Sequence, residues 1–210
     1  MLGNRLLGFM IIIGGVFILI GTILHPILVD PFAGEEAYHK FKHSDLWMFD
    51  HILMLLGMFL WLGGLAGSSS SFGKKAGKTG AAMFYISLGM WIIILSTELT
   101  LLPMLGKEIS NSSQVMLKKV WEANFSFGLL AGYFAVAFGW LGVALYGWNG
   151  KGTFSLWFQR AGLYSGIWGF AGIVFTCCFF QSAYIVLPLT SGPVYLWTMW
   201  WGWKLCLLRI

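Results

Sequence analysis

What this sequence lacks most is charge. Asp, Glu, Lys and Arg make up 10% of its 210 residues, against about 25% in soluble domains, too few to solvate the whole outer surface of a domain in water. Acid is scarcer than base, eight residues against thirteen, for a net charge of +5. The basic residues are scattered over short loops and form no block, so they do not make a nucleic-acid surface; in a membrane protein such residues set orientation instead. Cysteine is also rare. Cys177, Cys178 and Cys206 include no CxxC pair, and the adjacent two lie in an apolar run, where they read as small packing residues. Strand alternation and fixed-period repeats are absent, and no span contains HExxH, ExxH or HxxxH. The first apolar run is too long for a signal h-region and has no A-x-A site behind it, so it reads as a retained span.

What is present is apolar sequence, 58% of the chain. A hydrocarbon core of about 30 Å takes about 20 residues of helix. The runs predict an all-α polytopic bundle of five or six spans forming one integral membrane domain. The spans are expected at about 5–29, 46–66, 81–104, 121–148 and 156–187, with 193–210 as a short span or an interfacial helix. Pro26, Pro103 and Pro188 are read as ends or kinks. Glycines punctuate the spans, as close helix contact in lipid requires. The segments 68–80 and 105–120 read as loops. Trp197, Trp200, Trp201 and Trp203 crowd the last stretch, a residue type that favours the membrane interface.

The stretch from His25 to His51 stands apart. It holds all four histidines, together with Asp30, Glu35, Glu36, Asp45 and Asp50. Glu35, His39 and His43 recur every four residues, which on a short amphipathic helix puts them on one face. His39-x-x-x-His43 then has a spacing compatible with a metal, although solvated interfacial histidines have the same look. Met54 and Met58 follow His51 at helical spacing and read as packing residues.

Loop charge predicts the topology. The 68–80 loop carries Lys74, Lys75 and Lys78 and no acid; the 149–160 loop carries Lys151 and Arg160 and no acid. The positive-inside rule places both loops and the N-terminus in the cytoplasm, and the His25–His51 stretch on the non-cytoplasmic side. On that topology His25, Asp50, His51, Glu98, Glu122, Asn124, Gln181 and Tyr184 all fall near the outer ends of their spans. Glu98 lies inside its span, where an ionised acid costs several kcal/mol, about 3 on insertion scales, unless it is paired. A partner such as His25 or His51 is therefore expected.

Several chemistries fit this slab. His25, Asp50, His51, Glu98 and Glu122 offer two imidazoles and three carboxylates, a donor set for iron, copper, zinc or manganese rather than for a thiolate-rich structural zinc site. Haem b held between His25 and His51 is a variant, with the glycines of the first span leaving room for a macrocycle. Either reading makes the chain a membrane subunit with a metal or haem site near the non-cytoplasmic face, within a larger redox complex. The rival is an accessory subunit without its own cofactor, in which Glu98 simply pairs with His51. A proton-coupled transporter needs polar groups through both leaflets, and the other half supplies only Ser87 and Ser165. Acid–base catalysis by Glu and His is a fourth class. The expected partners are the lipid bilayer and other membrane subunits or further copies of the chain.

Overall fold

A computed structural model describes residues 2–112, 115–148 and 154–207. Seven helices follow one another: α1 (Leu2–Leu24), α2 (Gly34–Lys42), α3 (Trp47–Gly67), α4 (Lys74–Ser112), α5 (Val115–Trp148), α6 (Leu156–Cys178) and α7 (Ala183–Leu207). Single 3₁₀ turns occupy Ser68–Ser71 and Phe180–Ser182, and no strand occurs among the described residues. Five helices, α1, α3, α4, α5 and α6, are long and apolar enough to cross a membrane. At 25 residues, α7 is about 37 Å long, but Thr, Ser, Pro and Gly dilute its apolar character.

The six long helices pack as an up-and-down ring. Each lies against its neighbours in the order α1, α3, α4, α5, α6, α7, and α7 closes back on α1. Glycine sets the spacing at these seams. A Cβ at Gly14 of α1 would stand 2.7 Å from the Gly57 carbonyl and 2.8 Å from Leu60 Cβ of α3. A Cβ at Gly166 of α6 would meet Ala144 N of α5 at 2.5 Å. Lipid offers no hydrophobic drive between helices, so this backbone proximity is what dispersion has to work with. The main core lines the inside of the ring, with Leu65, Phe72, Trp140, Tyr146, Phe158 and Trp201 buried.

At one end, α4 and α5 continue as a hairpin. A second core of Trp47, Leu102, Leu105, Ile109, Trp121 and Phe125 fills it, and α2 lies across it through Ala37, Tyr38 and Phe41. Leu101, Leu105 and Ile109 recur four apart, so the apolar stripe keeps the helix going where a loop over 105–120 was expected. Pro103 sits inside α4 and does not end it. At the other end, Ser68–Ser71 make a tight turn and α4 begins at Lys74, so most of the expected 68–80 loop is helical.

The largest correction falls after residue 178. The expected fifth span, 156–187, stops at Cys178, and Phe179 takes a non-helical φ of −141° and ψ of 67°. The last stretch is one continuous helix that contains both Pro188 and Pro193. Pro193 leaves the carbonyl of Leu189 without its helical donor, and Trp168 Nε1–H donates to that carbonyl at 3.2 Å. Neighbouring side chains of this kind are what let proline persist inside a membrane helix. The tryptophans also differ from expectation. Trp197 and Trp201 are buried in the ring, donating to the Phe158 carbonyl and Ser68 Oγ, whereas Trp200 and Trp203 are partly outside. Lys151 and residues 208–210 lie outside the described residues.

Candidate functional site

The site forms where α1 ends, α3 begins and α4 passes both. α1 stops at Leu24, and Pro26 prevents its continuation. This leaves His25 at the helix end, with its Nδ1–H donating to the Pro26 carbonyl at 2.6 Å. Asp50 and His51 lie in the first turns of α3 and are completely buried. His51 Nδ1–H is shared between the Trp47 carbonyl at 2.6 Å and Asp50 Oδ1 at 2.5 Å. Its other nitrogen, Nε2, lies 3.2 Å from Glu98 Oε2 of α4. That approach is out of line for a hydrogen bond, so Nε2 has no hydrogen-bond partner, and neither does Asp50 Oδ2.

The rings of His25 and His51 stand 5.0 Å apart, centroid to centroid. His25, Asp50 and His51 each bring one potential ligand atom within 4.8 Å of the others, a group that could hold a metal ion. The arrangement at the two histidines is alike. In each, Nδ1–H is committed to a carbonyl or carboxylate, which leaves Nε2 as the nitrogen open to a second proton or to a metal. Metal-ligating histidines are oriented in this way.

Trp47, which the sequence reading did not single out, roofs the cluster. Its indole stacks on His51 at 4.2 Å and touches His25 at 5.6 Å. Its Nε1–H donates to the Glu98 carbonyl at 2.9 Å, tying α3 to α4. Phe41 of α2 packs edge-on against it at 4.9 Å. The signal was present in the sequence, since Trp47 precedes His51 by one helical turn. Beside it opens a cavity of about 330 Å³, lined in part by Tyr38, Phe41, Lys42, Asp45, Trp47 and Lys107. Tyr133 and Ser126 of α5 donate to the carbonyls of Val29 and Pro31 and so pin the segment that follows His25.

Four of the five residues expected to gather do so: His25, Asp50, His51 and Glu98. Glu122 does not. It packs on Gly34 at the start of α2 and faces Lys118 at 3.8 Å, and among the described residues it makes no bond to the histidine cluster. The Glu98 carboxylate instead meets Gly128, six residues further along α5, so Glu122 stands about 9 Å outward of the cluster, level with α2. Gln181 and Tyr184 are exposed, and Asn124 turns back to the Val120 carbonyl of its own helix. Beyond the membrane segments, the Lys118 ammonium, 2.8 Å from Glu35, holds that carboxyl below its ordinary value.

The geometry separates the cofactor readings. Bis-imidazole haem puts each Nε2 about 2 Å from iron on opposite faces of the macrocycle, so the ring centroids stand about 6 Å apart or more. At 5.0 Å the pair has no room for a porphyrin. The notches expected to receive one are filled: Gly15 by Met199, Gly21 by Met54 and Gly14 by α3. A single ion fits better. Two donors about 2.0–2.2 Å from one ion, subtending about 90–110°, lie about 2.8–3.6 Å apart, and Nε2 and Oε2 are 3.2 Å apart. In the opposite half of the ring, Ser87 and Ser165 donate to the Ala135 and Gly162 carbonyls. No family model, curated protein or solved structure matches the chain.

Proposed function

We propose that the chain is an integral membrane subunit holding one transition-metal ion near the non-cytoplasmic face, within a larger membrane redox assembly. The observation that carries this reading is the fully buried, unpartnered Nε2 of His51 facing Glu98 Oε2 at 3.2 Å. In the neutral ring Nε2 bears a lone pair, and a carboxylate oxygen opposite it repels unless a cation lies between them. His51 Nε2, Glu98 and His25 would be ligands, and Asp50 would orient His51. Imidazole with carboxylate suits iron, manganese, zinc or copper.

Sidedness is supported by charge. At the α2 end Lys40, Lys42, Lys107, Lys118 and Lys119 are interspersed with Asp30, Glu35, Glu36, Asp45, Glu108 and Glu122, while Arg5, Lys75, Lys78, Arg160 and Lys204 belong to the other end, where no described acid lies. By the positive-inside rule the α2 end is outside.

A second reading rests on the same contacts. If His51 carries a second proton, Asp50, imidazolium and Glu98 form a clasp that merely holds α3 to α4, as an accessory subunit without a cofactor would use. Metal analysis of protein purified without chelator decides between them. About one ion per chain is expected, lost in His51→Ala and Glu98→Gln and kept in Glu122→Gln. If the His51→Ala and Glu98→Gln variants take up as much of each of the four metals as the wild type when these are supplied in turn, the metal reading sinks and the clasp is left. An external thiol reagent should label Lys40→Cys and not Lys75→Cys; the reverse pattern overturns the sidedness.

A further inference from the structure

α2 is the one helix outside the ring, and its outer face carries two histidines that the buried cluster does not use. His39 and His43 stand one helical turn apart, both exposed, with ring centroids 4.4 Å apart and an interplanar angle of 34°. His43, at the C-cap, keeps that spacing because its backbone N–H bonds back to the Lys40 carbonyl and that of Ser44 to the Phe41 carbonyl. Its Nδ1–H donates to the His39 carbonyl at 2.8 Å. That bond selects the tautomer with a free Nε2 lone pair and holds the ring against its neighbour. The helix beneath is anchored from its other face: Ala37 is fully buried, and Tyr38 and Phe41 lie against Trp121 and Trp47. The nearby charges are spoken for, Glu36 by Lys40 at 2.6 Å and Glu35 by Lys118 at 2.8 Å. The two imidazoles are therefore the uncommitted donors on this face.

From this we infer that His39 and His43 form a second, solvent-open metal site that chelates a borderline divalent ion such as Cu²⁺, Zn²⁺ or Ni²⁺ through its two imidazoles. Neutral imidazole is the preferred protein donor for these ions. Two donors on a rigid turn act as one chelate, because binding the first brings the second to high effective concentration. No carboxylate is among the donors, so hard ions such as Mg²⁺ and Ca²⁺ are excluded. With the remaining coordination positions left to water, ions at this site exchange with solvent, unlike one enclosed at His51. The site stands on α2 alone and does not depend on the buried centre.

The test is a Cu²⁺ titration of the purified protein followed by electron paramagnetic resonance, with Zn²⁺ calorimetry alongside. It is run on the wild type, His39→Gln, His43→Gln and the double variant, each also in a Glu98→Gln background. The exposed substitutions leave the packed face of α2 untouched, so folding is preserved. Expected is an exchangeable ion with two-imidazole hyperfine structure, reduced to one imidazole in either single variant with an affinity loss of about 10- to 100-fold. The same difference should persist in the Glu98→Gln background. If single variants keep the two-nitrogen spectrum, or the double variant titrates like the wild type, the α2 site does not exist. Loss of only the slowly exchanging ion in the Glu98→Gln background reports on the buried centre and leaves the α2 comparison intact.

Discussion

Glu98→Gln separates an ion-binding site from a clasp between α3 and α4 by the sign of its effect. His51 commits Nδ1–H to the Trp47 carbonyl and Asp50, so its free Nε2 confronts Glu98 Oε2 at 3.2 Å. In the metal reading that confrontation is unfavourable whenever the ion is removed. Glutamine keeps the shape and removes the carboxylate charge, relieving that repulsion by about 1 kcal/mol, the scale of one polar contact. In a chain of this length, 1 kcal/mol moves the melting temperature by about 2–4 °C. With chelator present, then, Glu98→Gln should melt about 2–4 °C above the wild type. With the cognate ion at about 100 times its Kd, the wild type gains about 2.7 kcal/mol by mass action and the variant gains little. The order of stability should therefore reverse. Thermal unfolding in detergent, followed by tryptophan fluorescence with and without chelator, reads this directly. A variant that melts below the wild type in chelator, with no shift on adding any of the four metals, would refute the reasoning, because it identifies a charged imidazolium–carboxylate pair.

Two further expectations test the frame around the site. Gly14→Ala puts a methyl against the Gly57 carbonyl and Leu60 Cβ, forcing α1 from α3 at a cost of about 1–3 kcal/mol; an unchanged melting temperature would mean that the seam is looser than described. Glu35, whose carboxyl is lowered by Lys118, contributes its stability above the ordinary glutamate value and loses it as pH falls through the lowered one. The wild type should exceed Glu35→Gln slightly at pH 7, by less in high salt because the pair is exposed, and the two melting curves should converge well below about pH 4. A gap that persists in acid or in high salt assigns the difference to packing.

Much of this architecture was legible because lipid imposes simple rules on sequence. The starts of α1, α3 and α6 follow from apolar runs, and the gathering of His25, His51 and Glu98 follows from the cost of leaving Glu98 unpaired in lipid. Depth could be read because rise per residue is constant. Where the helices leave the membrane could not, which is why Glu122, on the part of α5 that runs out beside α2, lies beyond the cluster whose Glu98 meets Gly128. Proline misled because neither residue ends α7: Pro188 falls in its second turn, and the Leu189 carbonyl vacated by Pro193 is met by Trp168 of the neighbouring helix. The haem alternative failed on packing: glycines in α1 leave notches, but other helices fill them, and a sequence does not reveal which neighbour arrives.

Closure of the ring by α7 has a consequence for how the protein is built. The Tyr195 hydroxyl donates a hydrogen bond to the Gly15 carbonyl, and Gly8 lies against Gly202 and Cys206. One wall of α1 is thus supplied by a segment the ribosome makes well over a hundred residues later. Until it arrives, α1, α3, α4, α5 and α6 form an open crescent whose small-residue seam on α1 faces lipid or a chaperone. Lesions in α7 should therefore surface as failed biogenesis and rapid turnover, even though this helix contributes no side chain to the polar cluster.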